Sequence, residues 1–150
     1  MIKRAVIGIA VLLCVVALTV YEGQQVPPNP YSKEDYKQFI SIEGLYAGRG
    51  SEGKSTGIPI VWFKVRNKGD YTVEKVQVTV EFLNDQGQVV FEKKLHPVHQ
   101  GKESGELVKP LGPGDLWQMS SIRYYVVTKV PHTWELGNVR ATVTDIEFET

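Results

Sequence analysis

Residues 75–95 read KVQVTVEFLNDQGQVVFEKKL. Val76, Val78, Val80 and Phe82 alternate with Lys75, Gln77, Thr79 and Glu81. A period of two puts one set of side chains on each face of an extended chain, so this segment predicts a strand with one face covered and one wet. The run NDQG (84–87) supplies a turn in which Gly87 can take a positive φ. Val89, Phe91 and Leu95 then share one parity, with Lys93 as the exception. With Leu83 opposite Gln88, Phe82 faces Val89, Val80 faces Phe91 and Val76 faces Leu95, so the two apolar faces coincide. The stretch predicts a β-hairpin, and no residue in it is arranged for catalysis.

The pattern extends outward. FISIEGLY (39–46) predicts a first strand with Ile40, Ile42 and Tyr46 on one side. IPIVWFKVRN (58–67) is rich in β-branched and aromatic residues and closes at a turn, NKGD (67–70). LGPGD (111–115) is a second turn, and LWQMSSIRYYVV (116–127) a further strand. In NVRATVTDIEF (138–148), Val139, Ala141 and Val143 have one parity while Ile146 and Phe148 have the other. A bulge near Thr144 and Asp145 reconciles them. Trp62 is expected in the core, and Trp134 as the anchor of a loop crossing one end. Six or seven strands with little helix predict an all-β fold. Each half-polar strand needs a facing layer, so the expected architecture is an antiparallel, immunoglobulin-like β-sandwich. The likeness is in layout only, because the single cysteine, Cys14, rules out the Cys…Trp…Cys marker.

The N-terminus is different. MIKRAVIGIAVLLCVVALTVYEG opens with Lys3 and Arg4 and continues apolar from Ala5 to Val20, Gly8 and Thr19 aside. Positive charge before the apolar run predicts that the N-terminus stays in the cytoplasm and the rest is exported. As a helix the run spans roughly 24 Å, a little short of a hydrocarbon core. Residues 1–22 therefore predict one transmembrane signal anchor, with a cleaved signal peptide as the rival. The lipoprotein pattern is poorly met, since Leu13 precedes Cys14. Residues 23–37 form a Pro-rich linker in which Pro27, Pro28 and Pro30 favour extended spacer geometry. Ser32 with Asp35 resembles a capping box and predicts one helical turn from Lys33 to about Lys37. The β-sandwich domain is expected over 38–150.

The hairpin stretch with VRNKGDYT before it and LGPGD after it resembles the FxLYD-type β-sandwich domains of bacterial and archaeal envelope proteins. Asn67, Gly69, Gly87, Val89, Leu111, Pro113 and Gly114 match that pattern. Val80, Phe82, Leu83 and Asn84 occupy the FxLYD positions and keep its pattern rather than its letters. The resemblance covers residues 58–127 and implies an extracytoplasmic, commonly membrane-tethered module without catalytic residues.

Charge and motifs narrow the function. Lys plus Arg and Asp plus Glu number 17 each. Setting aside Lys3 and Arg4, the remainder is slightly acidic, so nucleic acid is a poor partner. The string from Gly48 to Ser55 formally matches a phosphate-binding loop, but Gly57, Pro59 and a β-rich run follow, so the helix that such a loop requires cannot form and no nucleotide is expected. With three histidines, no G-x-S-x-G elbow and the sole cysteine in the apolar head, no nucleophilic site assembles. Neither an enzyme nor a cofactor is expected. The leading expectation is a non-enzymatic periplasmic or extracellular module that contacts another envelope or membrane protein. In SSIRYYVVTKVPHTW (120–134), Arg123, Tyr124, Tyr125 and Trp134 are of types enriched at interface hot spots, with core packing as the plainer role. The alternative is ligand or metal binding at His96 and His99, which Pro97 keeps off a helix, with His132 or Glu103 completing a metal set.

Overall fold

A computed structural model describes residues 28–99, 102–103, 106–107, 109–119 and 123–149. The expected anchor over 1–22, Cys14 and the linker as far as residue 27 lie outside the described residues. Among the described residues, no helix is long and apolar enough to cross a membrane.

Helix α1 (Lys33–Tyr36) opens the described chain and runs into a 3-10 turn over Lys37–Phe39. Ser32 caps it, its hydroxyl accepting from the Asp35 N–H at 3.1 Å and donating to the Asp35 carboxylate at 2.6 Å. Strands β1 (Ile40–Arg49), β2 (Pro59–Asn67), β3 (Val73–Leu83) and β4 (Val89–Val98) follow. Two short strands, β5 (Lys102–Glu103) and β6 (Glu106–Leu107), pair with each other. Then come β7 (Leu116–Gln118), β8 (Tyr125–Val126) and β9 (Val139–Phe148). One sheet is ordered β1-β2-β7, with β8 also pairing β2, and a second is ordered β4-β3-β9. These ladders are antiparallel.

One core joins the two sheets. Val61, Phe63 and Val65 of β2 and Val76, Val78, Val80 and Phe82 of β3 are fully buried in a single cluster. Burial of a side chain of this size contributes about 1.5–3 kcal/mol, which is why the period-two strands hold one face inward. The parity change in β9 is met by a bulge: Gln77 pairs with Asp145 and Val78 with Val143, leaving Thr144 as the extra residue.

The hairpin register differs from the simple reading. Leu83 pairs with Val89, Phe82 with Phe91 and Val78 with Leu95. Asn84 is the cause. Its side-chain oxygen accepts from the Gln86 and Gln88 N–H groups, and its own N–H bonds the Gln88 carbonyl, so Asn84 and Gln88 close the turn. Gly87 takes φ +76°. The extra residue then falls at Val90, and Val89 is 42% exposed instead of opposing Phe82. Three further expectations change. Gly44 at φ +61° sits in a register shift of β1, so Tyr46 turns outward while Ala47 is buried. Trp62 lies on the outer side of β2, between buried Val61 and Phe63. The expected strand over 116–127 appears as two pieces, β7 and β8.

The start of the domain is held by a polar hub. Asn67 is completely buried. Its amide nitrogen donates to the carbonyls of Tyr71 at 2.7 Å and Leu111 at 3.0 Å. Its oxygen accepts from the Gly69 N–H and the Tyr36 hydroxyl. The Asn67 backbone bonds Gly114 and Asp115 of the second turn. Tyr36, also fully buried, shares its one hydroxyl proton between the Tyr71 carbonyl and the Asn67 oxygen and accepts from the Tyr71 N–H. Its ring packs among Tyr31, Phe39, Tyr71 and Phe148 at centroid distances of 5.1–6.0 Å. The packed domain thus reaches upstream of residue 38. Gly69 is required by close approach: a Cβ there would lie 2.4 Å from the Tyr36 oxygen.

Burial pushes the Tyr36 phenol above its ordinary value, against the opposing effect of its hydrogen bonds. The folded state therefore holds this proton more tightly than the unfolded chain, so its contribution is intact below the ordinary tyrosine value near 10 and is lost as pH rises beyond it. Urea midpoints between pH 9 and 11.5 are expected to fall, and to fall less steeply in Tyr36→Phe. Equal slopes would show that Tyr36 is not the alkaline group.

Candidate functional site

On β2, Ile60, Trp62, Lys64 and Arg66 face away from the core. Their cross-strand partners build a surface row by row. Tyr46 stands beside Trp62, Gly48 beside Ile60, and Ile60 beside Val126. Tyr46 is 57% and Val126 46% exposed. Trp62 and Ile60 are half-buried. Both aromatic side chains lie across glycine. The Tyr46 hydroxyl passes 2.4 Å from where a Gly48 Cβ would stand, and Trp62 Cζ3 passes 3.2 Å from that of Gly44. Rings laid over bare glycine shield the sheet and pin its register.

The rim of this surface is polar. The Lys64 ammonium sits 5.5 Å from the centroid of the Trp62 ring. Arg66 and Glu43 pair at 2.9 Å, and the guanidinium holds the Glu43 carboxyl below the usual carboxylate range. The face therefore grades from a charged end into an apolar end. The sequence carried one sign of it: Trp62 shares parity with Lys64 and Arg66, a poor match for a core position.

The four expected contact residues do not form one surface. Arg123 is exposed. The Tyr124 hydroxyl meets Ser55 Oγ at 2.5 Å, against the loop between β1 and β2. Tyr125 stacks on Phe63 with centroids 5.7 Å apart. Trp134 is only 5% exposed and meets Phe82 edge-on, while its indole N–H donates to the Asn138 carbonyl at 3.0 Å. It holds the loop before β9 to the end of the sandwich. The Gly48–Ser55 string runs from the last two residues of β1 into the hairpin connection, with a 3-10 turn at Gly53–Ser55, and strand β2 follows it.

His96 and His99 come together through a bulge. Val78 pairs with Leu95 but Val76 with Val98, so His96 and Pro97 together oppose Gln77. Three residues apart on a regular strand, the two histidines would face opposite sides. The extra residue re-aims them, and Pro97, without an N–H, suits a bulge. Both line an open depression of about 390 Å³ with Lys94, Leu95 and Tyr125, between β4 of one sheet and β8 of the other. His96 Nε2 lies 3.2 Å from the Gln77 side-chain oxygen, and the Gln77 nitrogen bonds Thr144 Oγ1 at 2.9 Å. His132 does not line the depression. The side chain of Glu103 lies outside the described part of the chain. Among the described residues, no group of three or more His, Cys, Asp or Glu side chains is placed to hold a metal ion.

No protein-family model, no curated protein and no solved structure matches the chain.

Proposed function

We propose that the chain is a non-enzymatic, membrane-tethered extracytoplasmic β-sandwich of immunoglobulin-like layout, akin to FxLYD-type domains, that docks another envelope or membrane protein through the outer face of its first sheet. The observation that carries this is the outward-facing band across three strands in which exposed Tyr46 and Val126 flank half-buried Trp62 and Ile60. Tyrosine and tryptophan anchor interfaces because they bury large rigid areas, and an aromatic patch edged by polar groups is how a docking face differs from scattered apolar residues. Lys64 beside the apolar end matches a partner whose own apolar patch is edged by a carboxylate. The basic-flanked apolar head supports the tether, and the prolines support a short stiff spacer.

The test is crosslinking in native membranes and recovery through a C-terminal tag, comparing the wild type with Tyr46→Lys/Val126→Lys. The wild type is expected to bring down one specific membrane protein, and the double variant to lose it at least tenfold. The variant should melt within a few degrees of the wild type, because both positions are exposed. Recovery of the wild type alone, or equal recovery by the variant, overturns the proposal.

A second reading, ligand binding at His96 and His99, is favoured by the bulge that turns both imidazoles into one depression.

A further inference from the structure

We infer that the domain stands on the lipid surface by the end that carries Tyr31, with the apolar end of its outer face held away from the membrane. This rests on the membrane-tethered reading and gives that tether a contact surface and a direction. The chain is already packed on the domain at Asn29, which is half-buried and whose side-chain oxygen accepts from the Tyr31 N–H at 2.9 Å. The Tyr31 ring then meets Phe39 and Tyr71 edge-on, with centroids 5.3 and 6.3 Å away, and Tyr36 at 5.8 Å. The start of β1, the ends of β2 and β9 and the second turn gather at this same end: the Lys68 N–H bonds the Phe39 carbonyl, the Asn67 backbone bonds Gly114 and Asp115, and the Glu149 N–H bonds the Thr72 carbonyl.

The length of the tether decides the orientation. The apolar run ends at Val20, and nine steps of chain from there to Asn29 reach at most ~32 Å at full extension. As a flexible chain they span roughly 15–18 Å. The headgroup layer takes about 5–8 Å of either length. Strand β3 runs its eleven residues from this end to the far turn, roughly 33 Å. With the far end turned to the bilayer, the tether would have to cross that length and the headgroups as well, which is more than it reaches. Tyr31 is 40% exposed, and a tyrosine suits headgroup depth because its ring is apolar and its hydroxyl wet. Exposed charges at this end have both signs, Lys33 and Lys68 with Glu34 and Asp70, so the contact follows from the tether and the ring and not from lipid charge. On β2, Ile60 and its neighbour Val126 then stand roughly 23 Å beyond Asn67, and a partner meeting them must project a domain of its own out of the bilayer.

The test uses the full chain in phosphatidylcholine vesicles that carry a nitroxide on the headgroup. Cys14→Ala removes the native thiol. A fluorophore is then placed at Lys68→Cys or Lys33→Cys near the lipid, and at Asp85→Cys or Glu52→Cys at the far end. These side chains are exposed, so each melting temperature should stay within a few degrees of the wild type. The nitroxide is expected to quench labels at 68 and 33 at least threefold more than labels at 85 and 52. Equal quenching at the two ends, in protein that floats with the vesicles, would overturn the inference and leave the tether standing, since the domain would then lie on its side or stand clear of the lipid. Stronger quenching at 85 and 52 would overturn it in the same way. Protein that does not float with the vesicles would overturn the tether itself, and the inference with it.

Discussion

Replacing Asn67 by alanine is expected to lower the free energy of unfolding by about 3–5 kcal/mol. The size follows from what the side chain holds. One fully buried amide joins three segments distant in sequence: Tyr36 of the first helix, the 67–71 turn, and Leu111 ahead of the second turn. Without it, two carbonyls, one N–H and the Tyr36 hydroxyl lose a partner in a dry setting, and each stranded group costs about 1–3 kcal/mol before relaxation. The Tyr36 hydroxyl and the Tyr71 carbonyl keep their mutual bond and the Leu111 carbonyl keeps the Val73 N–H, so the Gly69 N–H is the group left stranded and the sum is partial. Against a total stability of about 5–15 kcal/mol this is a large share. Asn67→Asp separates polarity from shape. It keeps the accepting oxygen but turns a second oxygen toward the Tyr71 and Leu111 carbonyls, so it too is destabilised. Urea unfolding at pH 7 reads both, with the slope unchanged if only the folded state is affected. A loss below about 1 kcal/mol for Asn67→Ala would show that the three segments stay together without the amide.

Trp134→Ala is the second large effect, again about 3–5 kcal/mol. The indole is 95% removed from water, packs edge-on against fully buried Phe82 with centroids 5.3 Å apart, and ties off the Asn138 carbonyl. The Arg49 guanidinium lies 5.7 Å from its ring centroid. Truncation opens a cavity over Phe82 and frees the loop whose Glu135 N–H bonds the Leu83 carbonyl. Thermal unfolding checks this, and comparison with Tyr46→Lys sharpens it. Tyr46 is more than half exposed, so its replacement should cost at most about 1 kcal/mol while affecting recovery of a partner. A Trp134→Ala protein of wild-type stability that loses the partner would return Trp134 to the contact surface.

The surface ion pairs add little to this balance. Glu147 with Lys75 and Glu81 with Arg140 hold their carboxyls below the usual range, chiefly through the hydrogen bond from each cation. Such pairs sit in water, where screening and side-chain entropy offset most of the attraction. Their small contribution is present above the ordinary carboxylate range and is lost as pH falls through the lowered values.

Alternation of side chains and turn chemistry were enough, from sequence alone, to identify the five long strands, the hairpin at 84–87, the turns at 67–70 and 111–115, the capped helical turn after Ser32, and the irregularity at Thr144, but not the division of 116–127 into β7 and β8 or the short pair β5 and β6. Each depends on neighbours a few residues away: turn chemistry at Asn, Gly and Pro, or a visible change of parity between Val143 and Ile146. The facing of Tyr46, the outward Trp62, the register set by Asn84 and the meeting of His96 with His99 were decided only by the tertiary structure. The physical reason is common to the first and last of these. One extra residue at Gly44 or Pro97 reverses which way every later side chain points, and where apolar residues stand on both parities, as in Leu45-Tyr46 and Val61-Trp62, the chain carries no local mark of which of them the core will take.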